Sequence, residues 1–156
     1  MSDRPAYDSR ADTLAHIHAV RNRISVFVAA MLERGRVHDA SKLSPEEKPA
    51  FDEVIPLLAG VAYGSAEYEA LVRRMGPALA HHYQSNSHHP EHHADGIAGM
   101  DLFDVVEMIC DWIASAGRNP GDGVRLDYNV KQFAIEPQLA SILANTLARW
   151  PRRERG

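Results

Sequence analysis

The segment that most limits the fold is MDLFDVVEMICDWIASA, residues 100–116. Leu102, Val105, Val106, Ile109 and Ile113 leave the circumference of this helix apolar almost all round. Such a helix is buried. Yet Asp104, Glu107 and Asp111 are spaced i, i+3, i+7 and share one face. Three carboxylates in one stripe repel one another, and each costs several kcal/mol to desolvate. They need cations unless the stripe faces solvent, which is the competing reading. A fold for this chain therefore wraps residues 100–116 in other elements and brings cationic or metal-bound groups to the acidic face.

The groups able to do so are conspicuous. Six of the nine histidines lie in HHYQSNSHHPEHH, His81 to His93. Imidazole is the commonest protein metal ligand, and packing gives no reason to concentrate it. The cluster is internal and broken by Tyr83, Asn86, Pro90 and Glu91, unlike an affinity tag at a terminus. Upstream, His38 and Asp39 are adjacent and Lys42 follows three residues after Asp39. Neighbouring side chains on a helical turn diverge by about 100°, so both reach one ion only if it lies off the end or edge of the turn.

The remaining chain reads as helices. Leu14, Ile17, Val20, Ile24, Phe27, Val28, Met31 and Leu32 recur at threes and fours from about Arg10 to Arg34, with Gly35 as the stop. His16 borders that stripe and His18 faces water. Ser44-Pro45-Glu46-Glu47 has the form of a capping box, opening a helix to about Leu58. Another helix starts at Ser65 and runs through His82, with a kink at Gly76-Pro77. On it, His82 continues the apolar stripe and His81 points away. His88, His89, His92 and His93 fall on an irregular loop ending at Asp95-Gly96. The turn Asn119-Pro120-Gly121-Asp122-Gly123 precedes a short stretch, Val124 to Val130, whose partial alternation suggests an extended segment or hairpin. Glu136-Pro137 starts a last helix, with Leu139, Ile142, Leu143, Thr146, Leu147 and Trp150 inward.

Several classes are disfavoured. The formal net charge of −4 gives no broad nucleic-acid-binding surface, and the basic tail Arg149 to Arg155 reads as a solvated end. The single cysteine, Cys110, allows neither a disulfide framework nor a cysteine zinc site, and its apolar surroundings suggest an inert thiol. No apolar run reaches the ~18 residues of a membrane span, and the polar start carries no signal-peptide core. The expectation is one cytoplasmic domain over residues 1–156, with its core at about 10–150, no membrane association, and room for a homodimer.

The order His16, His38-Asp39, His82, His88-His89 and Asp111, with Glu107 and Asp104 beside it, resembles the HD superfamily of metal-dependent phosphohydrolases. His38-Asp39-Ala40-Ser41-Lys42 looks like its His-Asp-x-x-Lys form. His88-His89 followed by Asp95-Gly96 is loosely similar to the HD-GYP branch, but Pro90 precedes Glu91 and the tyrosine-proline ending is absent. A closer likeness is to a family of phage and bacterial proteins without an established activity. It is carried by His16-Ile17, Arg34-Gly35, His38-Asp39 with Ser41 to Glu47, His81-His82 with Asn86 and His88 to His92, and Val106-Glu107-Met108 with Cys110-Asp111-Trp112.

The superfamily resemblance implies an all-α, HD-like bundle of about five main helices. It implies one or two divalent ions drawn from Mn, Fe, Co, Ni and Zn, since mixed imidazole and carboxylate ligands do not suit Ca. In this reading His16, His38, Asp39 and Asp111 hold one metal. Asp39 bridges to a second, held by His82 and one or both of His88 and His89. Lys42 contacts a phosphate oxygen, and Glu107 or Asp104 orients a ligand or acts as base. The implied activity is hydrolysis of a small, nucleotide-like phosphomonoester or phosphodiester by a metal-activated water. The alternatives are an HD-type di-iron oxygenase of a small molecule and a non-catalytic, phage-associated metal-binding module.

Overall fold

The computed structural model describes residues 7–117 and 123–151. The turn at 119–122 and the end of the basic tail, 152–155, lie outside the described residues. Among those described there are seven α-helices, four short 3-10 turns, two of them between the fourth and fifth helices, and no strand. None of these helices is long and apolar enough to cross a membrane. The chain divides into two compact units between Val37 and His38.

The first unit contains α1, Arg10–Val37. No residue of α1 is buried, and Leu14, Ile17, Val20, Ile24, Val28 and Leu32 are exposed. His16 and His18 are exposed on it as well. The helix runs through Gly35 instead of stopping there. One isolated glycine costs a long helix only about 1 kcal/mol, and here the turn out of helical geometry falls at Asp39.

The second unit contains α2, Lys48–Val54, α3, Ala66–Arg74, α4, Gly76–Ser85, α5, Leu102–Ala116, α6, Leu126–Gln132, and α7, Pro137–Arg149. Its apolar interior has two parts. Phe51, Val54 and Met75 form one, with Leu58, Leu71, Val72 and Leu79 packed around them. Ile109, Ile135 and Leu143 form the other, flanked by Val105, Trp112, Leu126, Val130, Phe133 and Leu147. The Trp112 and Phe133 rings stack with centroids 6.1 Å apart.

Side-chain caps start two of these helices. Asp101 caps α5 reciprocally: its carboxylate accepts the Asp104 N–H at 3.0 Å, and Asp104 Oδ2 accepts the Asp101 N–H at 3.2 Å. Ser65 caps α3 by accepting the Tyr68 N–H at 3.1 Å. Four expectations are corrected. The helix from Ser65 to His82 is two helices, because Gly76 takes a positive φ of 47° between them. The capping box at Ser44 is absent, and α2 starts at Lys48 without a side-chain cap. The stretch around Val124–Val130 is helical, since Leu126, Val130 and Phe133 form an i, i+4, i+7 stripe packed on the second part of the interior. On α7, Ile142 (54% exposed) and Trp150 (38%) lie outside the core, which Leu143 (2%) enters.

Candidate metal centre

The centre is assembled wholly within the second unit. It begins at the segment after α1. Asp39 adopts left-handed backbone geometry, φ 57° and ψ 16°, before the 3-10 turn Ala40–Leu43. Aspartate tolerates this region better than most side chains. The turn lets two adjacent residues face one point, which a continuous helix would forbid. It also lays Lys42 Nζ 2.6 Å from Asp39 Oδ2 and 5.2 Å from the centre of the Phe51 ring.

Around Asp39 stand four imidazoles. Its Oδ1 lies 3.3 Å from His82 Nε2 and 3.5 Å from His88 Nε2. Its Oδ2 lies 3.4 Å from His38 Nε2. His89 Nε2 is 3.0 Å from His82 Nε2, and Asp111 Oδ1 is 3.6 Å from His38 Nε2. Two sets of ligand atoms, each mutually within 4.8 Å, share His88: His38, His88 and Asp111, and Asp39, His88 and His89. Asp39 Oδ1 and His88 Nε2 are both buried without a hydrogen-bond partner. Leaving such atoms unsatisfied costs about 1–3 kcal/mol each. Donor atoms about 2.1 Å from one ion in tetrahedral or octahedral array are roughly 3.0–3.5 Å apart, so this spacing fits a small divalent cation.

The backs of the rings are held by carboxylates. Glu107 Oε1 accepts from His38 Nδ1 at 2.8 Å and lies 3.2 Å from His88 Nδ1. Glu47, which is 0% exposed, places its oxygens 2.7 Å from His81 Nδ1 and 2.9 Å from His82 Nδ1. Carboxylates in this position fix a ring's tautomer and direct its other nitrogen inward.

Charge is distributed accordingly. Asp111 and Glu107, against the opposing effect of burial, raise His38 to about 9. Burial, reinforced by the neighbouring His88 and His82, lowers His89 to about 3 and so keeps it neutral. Burial and then the His38 charge also lower His88. For Asp39, burial works to raise the carboxyl, but the His82 and Lys42 contacts prevail and hold it well below the usual range. Without a cation His38 thus holds a positive charge at neutral pH.

The six clustered histidines separate by partner. His82, His88 and His89 turn towards Asp39. His81 binds Glu47. His92 Nδ1 donates to the Tyr83 carbonyl at 2.9 Å and His93 Nε2 donates to the Ser87 carbonyl at 2.8 Å, so both pin the loop. Of the acidic stripe, Glu107 and Asp111 join the centre. Asp104 has both oxygens in structural bonds, Oδ1 to the Ser87 hydroxyl at 2.6 Å and Oδ2 in the α5 cap. The stripe is inward-facing: Asp104 is 5% and Glu107 8% exposed. Cys110 is half-buried, and burial, with Glu107 nearby, raises its thiol pKa, as expected of an unreactive side chain. His16, also expected among the ligands, belongs to the first unit. Sequence reasoning missed Glu47, whose place before Lys48-Pro49 reads as helix-start chemistry.

A family profile described as "Family of unknown function (DUF5662)" matches residues 6–149. The chain belongs to this family. No curated protein and no solved structure matches it. Membership supplies no activity.

Proposed function

We propose that the centre binds one or two divalent transition-metal ions and that the protein is an HD-like phosphohydrolase acting on a small, nucleotide-like phosphomonoester or phosphodiester. The observation that carries the reading is the pair of buried, unpartnered atoms Asp39 Oδ1 and His88 Nε2, 3.5 Å apart, with His82 Nε2 3.3 Å from the same oxygen. A divalent ion satisfies all three at once. Bound there, it would acidify a water and polarise a phosphoryl oxygen.

The chain's own residues divide the work. Asp39 stands between two ligand sets, with Oδ2 towards His38 and Oδ1 towards His82 and His88. It therefore suits a bridging role, with Asp111 on the His38 side and His89 on the other. Lys42, whose side chain is 33% exposed, keeps its ammonium at the open edge of Asp39. There it can bind a phosphate oxygen. Glu107 orients His38 and His88 from behind. Asp104, bound up in the cap of α5, is left with a structural role.

The test is metal content by plasma mass spectrometry, on untagged protein purified without added metal. Wild type is compared with Asp39→Asn, a residue that tolerates the left-handed backbone. Near-stoichiometric Mn, Co, Ni or Zn, lost in the variant, together with turnover in a screen of nucleotides and p-nitrophenyl phosphate, is the expected result. About two irons per chain and no phosphatase activity would transfer the reading to the oxygenase. Absence of bound metal, with none taken up on titration, would overturn it.

A further inference from the structure

Glu47 is the least exposed of the buried carboxylates, at 0%, and lies one step behind the centre. Its two oxygens lie against the Nδ1 atoms of two neighbouring rings, His81 at 2.7 Å and His82 at 2.9 Å. His81 is partly exposed, at 40%, whereas His82 is 3% exposed and faces Asp39 and His89 through Nε2. The question is where the His82 ring carries its proton. Two arrangements compete. If the proton sits on Nδ1 it goes to Glu47, and Nε2 is a bare lone pair aimed inward. If it sits on Nε2 it goes to Asp39 or His89, and the inward face is blocked.

The surroundings of Nδ1 decide between them. Asn86 Nδ2 is 3.1 Å from Nδ1 and could donate to it, which would favour the blocked form. But Asn86 Nδ2 has only two hydrogens, and both have shorter partners: Ser41 Oγ at 2.7 Å and the His82 carbonyl at 2.8 Å. Ser41 Oγ is 3.3 Å from Nδ1, a longer contact than Glu47 makes. Glu47 is thus the best-placed acceptor, and a charged one, and it favours Nδ1–H.

We propose that Glu47 is a positioning residue of the metal centre: it holds His82 in the Nδ1–H tautomer and so makes Nε2 a ligand atom. This rests on the metal reading above and adds to it the residue that makes His82 competent to bind. Glu47→Gln keeps the shape but presents an amide. Its one neutral oxygen cannot serve both rings, and an NH2 facing His82 donates to Nδ1 and reverses the tautomer.

Two measurements test it. The first is the ring-nitrogen spectrum of metal-free protein at pH 8, labelled with 15N-histidine, which reports the tautomer of His82 without any metal. The second is Zn2+ affinity by competition with a chromophoric chelator. Wild type is expected to show Nδ1–H with bare Nε2. Glu47→Gln is expected to shift His82 to Nε2–H and weaken Zn2+ binding about ten- to hundredfold, with its helical circular dichroism retained. A protonated Nε2 in wild type overturns the proposal, and so does an unchanged tautomer with Zn2+ affinity within twofold in the variant. If the variant does not fold, the wild-type tautomer alone decides. A wild type that binds no Zn2+ yet keeps Nδ1–H sinks the metal reading and with it the ligand role, a failure the spectrum separates from failure of the tautomer argument.

Discussion

In metal-free form this protein should lose stability as pH rises from neutrality, the reverse of what a buried, neutral histidine would give. The reason is His38. In the folded, metal-free chain its pKa rises from 6.5 to about 9, because the Asp111 carboxylate lies 3.6 Å from its Nε2 and Glu107 accepts from its Nδ1. Its native state therefore binds more protons than its unfolded state between those values. The stabilisation is complete below about 6.5 and is lost as pH climbs through about 9. At about 1.4 kcal/mol for each tenfold change in proton affinity, the whole effect is on the order of 3 kcal/mol. Urea unfolding of chelator-treated protein, followed by circular dichroism at pH 6.5, 7.5, 8.5 and 9.5, measures it. His38→Gln should be less stable at pH 6.5 and nearly flat across the series. Wild type flat over this range, or the variant falling as steeply, would refute the assignment of the proton to His38. The same proton must leave when a metal binds, so metal affinity should rise with pH up to about 9.

Other expectations concern the scaffold. Leu143→Ala empties a site that is 2% exposed and should cost about 2–5 kcal/mol in denaturant unfolding. Gly64→Ala should destabilise by about 1 kcal/mol or more, because φ is +76° and a Cβ would come 2.6 Å from the Tyr128 ring. Its thermal midpoint should fall, whereas Gly35→Ala, with nothing near its Cβ, should not lower it. Asp101→Ala removes the cap of the helix that carries Glu107 and Asp111, and should cost about 0.5–2 kcal/mol in the same unfolding assay.

The sequence alone determined the all-helical class and the two ends of the chemistry. Apolar residues at threes and fours mark helices wherever they occur, because that spacing is a local property of one turn. The acidic stripe of α5 was legible for the same reason, as was the His38-Asp39 pair. Boundaries set by a single backbone choice were not: Gly76 divides one periodic run into two helices, and the left-handed backbone of Asp39 leads into the turn that aims two neighbours at one point. Only tertiary structure decided which histidines meet. His88 and His93 look alike in a histidine-rich loop, yet one faces Asp39 and the other pins the Ser87 carbonyl. Nor could spacing reveal Glu47, whose partners lie 34 and 35 residues away. Contacts across such separations are fixed by how α2, α4 and the loops pack, and a local pattern carries no record of that.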